Sequence, residues 1–125
     1  MRIALDVMGT DYDPKELVLG AVMAVKEYNC DVVLVGDEPT IVKLLKDYGA
    51  EKNPHLTTRH ASEVIDMHEH PGIAVKTKKD ASIVVATDLL RNKECDALVS
   101  SGSTGAAVAA SFRISGSFPM SQFCM

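Results

Sequence analysis

The residues best suited to chemistry lie together near the carboxyl end of the chain, in Asp96-Ala97-Leu98-Val99-Ser100-Ser101-Gly102-Ser103-Thr104-Gly105-Ala106. Ala97 to Val99 read as a short buried strand, the hydroxyls and glycines as a tight loop, and the small residues beyond as the start of a helix. Gly102 and Gly105 permit positive φ and let another molecule approach the main chain closely. Ser100, Ser101, Ser103 and Thr104 supply hydroxyl donors, and the helix start adds free N–H groups and the positive end of its dipole. Together these describe a site for a small anion, with phosphate the foremost guest. A strand-to-helix turn whose glycines serve only packing shares the pattern, so on this stretch alone both readings stand. The stretch lacks the Gly-Lys-Ser/Thr ending of a Walker A loop and the GxGxxG of a dinucleotide site.

Further polar residues lie elsewhere. Asp6 interrupts the apolar run Ile3-Ala4-Leu5-Asp6-Val7-Met8, and Gly9 follows it. A carboxylate inside a buried strand is costly unless it is paired, hydrogen-bonded or facing a site, so Asp6 either orients a ligand or ties down the next loop. Asp11-Tyr12-Asp13 can hold a cation or solvate a turn, and the turn is favoured. His68 and His70 flank Glu69, but a His-x-His pair without a third convergent ligand does not define a metal site. Lys76, Lys78 and Lys79 make a solvated face or supply cations near a phosphate.

The elements that must position these residues alternate between strand and helix. Asp13-Pro14-Lys15-Glu16 is a helix start, with Asp13 as cap, Pro14 at the first position and Glu16 placed for a capping box. Leu17, Val18, Ala21, Val22 and Val25 form the apolar face of a helix running to about Tyr28. Asp31 to Gly36 is a second strand. Asp37-Glu38-Pro39 opens a second helix with Ile41, Leu44, Leu45 and Tyr48 on one face, stopped by Gly49. Leu56 to His60 reads as a third strand, and 61–72 as a short helical turn leading into a loop. Asp80 is expected to cap a helix from Ala81 to about Asn92. Its middle is apolar nearly all round, which requires deep burial or cover from a partner.

This alternation predicts an open, mostly parallel sheet with helices on both faces, a three-layer α/β/α arrangement. If the fourth strand, 97–99, returns beside the first, the loops after both strands meet at a topological switch point. Such sheets bind ligands there, beyond the carboxyl ends of the strands. The loop from Asp6 to Asp11 and the loop from Ser100 to Gly105 are therefore expected to share a pocket.

Composition bounds the reading. The 125 residues suffice for one domain with one core. An apolar share of 46% with 5% aromatic residues and no Trp describes an aliphatic core. Thirteen basic against seventeen acidic residues give a net charge of -4, which argues against a general nucleic-acid binder. Cys30, Cys95 and Cys124 are scattered, with no CxxC, so reduced thiols in a cytosolic setting are expected. No apolar run reaches the roughly 18 residues of a membrane span, so any membrane contact is expected to be peripheral.

Several ordered segments resemble the PlsX-type phosphate acyltransferases. These are Leu5-Asp6-Val7-Met8-Gly9-Thr10-Asp11 with Pro14-Lys15-Glu16, Leu34-Val35-Gly36-Asp37, His60-Ala61-Ser62-Glu63-Val64-Ile65 with Glu69-His70-Pro71, Lys78-Lys79-Asp80-Ala81-Ser82, and the Asp96–Ala106 stretch. The resemblance implies a fold related to phosphotransacetylases and isocitrate dehydrogenases, and an enzyme of bacterial phospholipid synthesis. That enzyme transfers a long acyl chain from acyl carrier protein to inorganic phosphate, giving acyl phosphate. It further implies a cytoplasmic homodimer with peripheral membrane association and no cofactor. Phosphate is already a nucleophile near neutral pH, so the protein need only hold it in line with the thioester carbonyl and stabilise the developing oxyanion. On this reading Gly9, Ser100, Gly102, Ser103, Thr104 and Gly105 bind phosphate. Asp6, Asp11, His70, Lys78 and Lys79 position it or balance charge, and no general base is assigned. Non-catalytic phosphate binding, or a phosphotransacetylase-like use of coenzyme A thioesters, are the alternatives.

The chain also departs from the family pattern. Gly9-Thr10-Asp11-Tyr12 stands where the family usually has Gly-Gly-Asp-His, and Ser101-Gly102-Ser103-Thr104-Gly105 where it has Ala-Gly-Asn-Thr-Gly. The expected organisation is an amino-terminal α/β domain over 1–113 followed by an atypical tail over 114–125, as a truncation or change of frame would leave. Little activity is expected of the 125 residues alone.

Overall fold

In a computed structural model, the described residues are 1–8, 13–65, 70–100 and, for their backbone, 123–124; of Pro71 too only the backbone is described. The order of elements is β1 (Arg2–Asp6), α1 (Pro14–Tyr28), β2 (Asp31–Gly36), α2 (Glu38–Asp47), β3 (Leu56–His60), α3 (Pro71–Thr77), α4 (Ser82–Arg91), β4 (Ala97–Ser100) and β5 (Phe123–Cys124).

The helix starts follow local chemistry. Asp13 sits in extended conformation (φ -66°, ψ 131°), and its carboxylate accepts the Lys15 N–H at 3.0 Å, with Pro14 at the first helical position. α1 ends where Asn29 turns left-handed at φ 50°, a conformation Asn tolerates. Asp37 caps α2 and accepts a hydrogen bond from the Thr40 hydroxyl. Gly49, at φ +66°, turns the chain away after α2.

Two details differ from expectation. α4 begins at Ser82 with Ala81 as its cap, because the Asp80 carboxylate is engaged elsewhere: it accepts both the N–H, at 2.9 Å, and the hydroxyl of Ser62. The loop expected at the end of 61–72 gives way to a helix, α3, that starts at Pro71 and runs to Thr77. His70 caps it, with Nδ1 accepting the Ile73 N–H at 3.3 Å, and Ala74 and Val75 anchor it in the core. Seven residues hold too few apolar positions to display a helical period, so tertiary burial completes what the sequence left ambiguous.

The sheet is parallel with order β3-β2-β1-β4-β5. β5 adds an edge strand that the sequence did not signal, with Leu98 beside Phe123 and Val99 beside Cys124. The chain winds outward from β1 through β2 to β3, then crosses back to set β4 on the other side of β1. Reversal of winding moves the covering helices to the opposite face. Accordingly Val18, Ala21, Val22 and Val25 of α1 pack with Ile41 and Leu45 of α2 against Val32, Leu34 and Leu56. On the other face Ala74 and Val75 of α3 join Ile83, Val84, Ala86, Leu89 and Leu90 of α4 against Ala4, Val33, Val35 and Leu98. The all-round apolar character of α4 is thus answered by burial within the chain.

Candidate functional site

β1 and β4 are neighbours in register, with Asp6 opposite Ser100. Their base is tied by Arg2 and Asp96: the Arg2 N–H donates to the Asp96 carboxylate at 2.9 Å, and the Asp96 N–H to the Arg2 carbonyl at 2.7 Å. Both strands therefore end together, and both following loops leave from one point of the sheet. This is the topological switch point expected from the alternation of elements.

Strand periodicity places Asp6 on the face of Ala4, and Ser100 on the face of Leu98, toward α4. Both are buried, Asp6 at 3% exposure and Ser100 at 3%. The Asp6 carboxylate accepts two hydrogen bonds: from the Met8 N–H at 3.0 Å and from the Ser100 hydroxyl at 3.2 Å. Burial pushes its pKa up, and the hydroxyls of Ser82 and Ser100 and the Met8 N–H offset part of that rise. Of the two sequence readings of Asp6, tying down the next loop is therefore met directly by the Met8 bond.

Gly36, at the end of β2, makes this arrangement possible. A Cβ there would stand 2.8 Å from Val7 Cγ2 and 2.8 Å from Met8 Cγ. The chain leaving β1 therefore lies directly over the Gly36 backbone, and the Val7 N–H donates to the Val35 carbonyl at 3.1 Å.

Of the remaining candidates, His70 is exposed at the start of α3, and Lys79 is exposed beyond its end. Lys78 is half-buried, and its Nζ donates to the Val64 carbonyl at 3.0 Å. Gly9, Asp11, Gly102, Ser103, Thr104 and Gly105 lie outside the described residues, as does His68. The structure thus unites Asp6 and Ser100 through a buried hydrogen bond; Ser82, buried at the start of α4, was quoted in the sequence reading only as part of a motif. Among the described residues no group of three or more His, Cys, Asp or Glu side chains is arranged to hold a metal ion.

The architecture defines a class: parallel α/β domains whose ligand site lies where the strand order reverses. Comparison narrows it. The family model described as "Fatty acid synthesis protein" matches residues 1–120, and the chain belongs to that family. It is 54% identical over 108 residues to a phosphate acyltransferase of Dictyoglomus turgidum, covering 86% of this chain and 32% of the relative. It is 50% identical to a phosphate acyltransferase of Pelotomaculum thermopropionicum, over 88% of this chain and 32% of that one. A third, from Heliobacterium modesticaldum, is 51% identical over 93% of this chain and 36% of its own length. The chain spans about a third of the length of these relatives.

Proposed function

We propose that these residues are the amino-terminal α/β portion of a phosphate acyltransferase that moves a long acyl chain from acyl carrier protein to inorganic phosphate. The observation that carries the reading is identity near one half with relatives bearing that name. The juxtaposed ends of β1 and β4 agree with it, because such sheets bind ligands beyond strand ends at a switch point, and the Gly102–Gly105 loop follows β4 in sequence. In the reaction a phosphate oxygen attacks the thioester carbonyl, a C–O bond forms, the C–S bond breaks, and the thiolate leaves with a proton. Backbone N–H groups of that loop hold phosphate, and the serines and threonine add donors. Asp6 fixes the strand ends, while Asp11, His70, Lys78 and Lys79 position phosphate or balance charge. The full-length enzyme acts as a cytoplasmic homodimer that meets the membrane peripherally. Among the described residues no helix is long and apolar enough to cross a membrane.

The test is turnover of a long-chain acyl-carrier-protein thioester with phosphate, followed as acyl phosphate formed, beside phosphate binding by the same chain. Binding without turnover is the expected result for these 125 residues. Turnover would place the whole catalytic site within them. Absence of binding would remove the phosphate reading, and preference for a coenzyme A thioester would favour the phosphotransacetylase-like alternative.

A further inference from the structure

β1 and β4 are covered unequally on their two faces. Toward α4, Ala4 and Leu98 are buried. Toward α1, Ile3 and Leu5 of β1 and Ala97 and Val99 of β4 are only half-buried. Parallel sheets are covered on both faces and their strands are apolar throughout, whereas a face left to water carries polar residues in alternation. All four half-buried residues are apolar, so the sequence prepares this face for a cover that the described residues do not supply. Between it and α1 lies an open groove of about 280 Å³, with Leu17, Gly20 and Ala24 on the helix side.

Gly20 points the same way. It stands inside the 15-residue helix α1, where every residue but proline is a better helix former. A Cβ at this position would meet nothing within 4 Å, so the packing of the described residues does not call for glycine here. A glycine lining an open groove admits the close approach of another backbone.

We infer that this groove seats a helix from the carboxyl-terminal two thirds of a full-length family member, laid beside α1 across β1 and β4. The inference rests on reading these residues as the amino-terminal portion of a phosphate acyltransferase. A helix is the occupant because helices are what cover parallel sheets. Handedness assigns the α1 face to connections that wind from β1 toward β3, and the α4 face to those that run from β3 toward β4 and beyond. Cover over β4 on the α1 face therefore comes from outside this succession of connections. The relatives hold a source for it, since the matched stretch is 32% of the Dictyoglomus turgidum protein and about two thirds of that chain remains.

The experiment places a cysteine in the groove, Ala24→Cys, and follows its maleimide labelling by peptide mass spectrometry. Two proteins are compared. One is the 125-residue chain, dilute enough to be monomeric. The other is a full-length protein in which the matched stretch continues into the remaining two thirds of the Dictyoglomus turgidum relative, 54% identity over 108 residues making the exchange compatible. Labelling at residue 24 should be about tenfold slower, or more, in the full-length protein. Gly20→Leu should raise the melting temperature of the 125-residue chain by about 3–5 °C, because a poor helix former is replaced. In the full-length protein it should lower the melting temperature, because the side chain meets the seated helix.

Equal labelling in the two proteins would overturn the inference, and so would a Gly20→Leu that raises the melting temperature of both. Protection that disappears on dilution of the full-length protein to single chains would give the groove to a second copy, which also overturns it. Turnover of an acyl-carrier-protein thioester with phosphate by the full-length protein separates the two readings. Protection of residue 24 without turnover removes the acyltransferase reading and upholds the seated helix, whereas turnover with residue 24 fully reactive does the reverse. Should Ala24→Cys not fold, Leu17→Cys, on the same side of the groove, takes its place.

Discussion

Asp6 is the residue on which the site turns, because burial and hydrogen bonding act on it in opposite directions and burial prevails. A carboxyl whose folded pKa is raised binds more protons in the native state than in the unfolded chain. Stability from this group is therefore fully present below the ordinary aspartate pKa and is lost as pH rises through the folded value. Asp6→Asn should abolish that decline, measured as the slope of unfolding free energy against pH in urea titrations just above the ordinary aspartate range. A parallel slope in the two proteins would refute the assignment. Asp80 has the opposite sign: hydrogen bonds from Ser62 lower its pKa, so its contribution is present above the ordinary value and fades in stronger acid. Cys95 is buried and its thiol pKa is raised chiefly by desolvation, so it should resist alkylation in the folded protein and react on unfolding. Rapid modification of Cys95 under native conditions would contradict the packing described.

At the scale of elements, the connections after β1 and β2 depend on close contact. Gly36→Ala would drive a methyl into Val7 and Met8, so it should destabilise the fold by about 1–3 kcal/mol, read from denaturant midpoints at constant slope. A neutral Gly36→Ala would mean that the chain after β1 moves aside freely. Asp13→Ala removes the α1 cap and should cost about 1 kcal/mol by the same measurement. The two sites differ in how they could be read. The Asp13-Pro14 cap was legible because capping needs only neighbours in sequence. The need for glycine at 36 arises from residues distant in sequence, Val7 and Met8 just beyond β1, and so does the diversion of Asp80 to Ser62, which left the α4 cap to Ala81. Helix α3 escaped notice because its seven residues carry little periodicity of their own.

At the scale of the whole molecule, the sheet face beside α1 is only partly covered among the described residues. An open, apolar groove of about 280 Å³ is lined by Ile3, Leu5, Leu17, Gly20, Ala24 and Val99 among others. Self-association of the isolated chain is expected from such an exposed apolar face. Sedimentation at high concentration should show it, and a monodisperse monomer would count against it. The alternation of strands and helices, the aliphatic core and the parallel sheet were determined by the sequence alone, because periodicity and capping are local properties. The neighbourhood of β1 and β4 followed from the sequence only on condition that the fourth strand returned beside the first, and the strand order of the folded sheet decided it. Only the tertiary structure decided that the Ser100 hydroxyl meets Asp6, that Gly36 lies beneath Val7 and Met8, and that 123–124 add a fifth strand. These depend on which side chains of distant segments arrive at one place, and packing sets that, whereas no pattern along the chain records it.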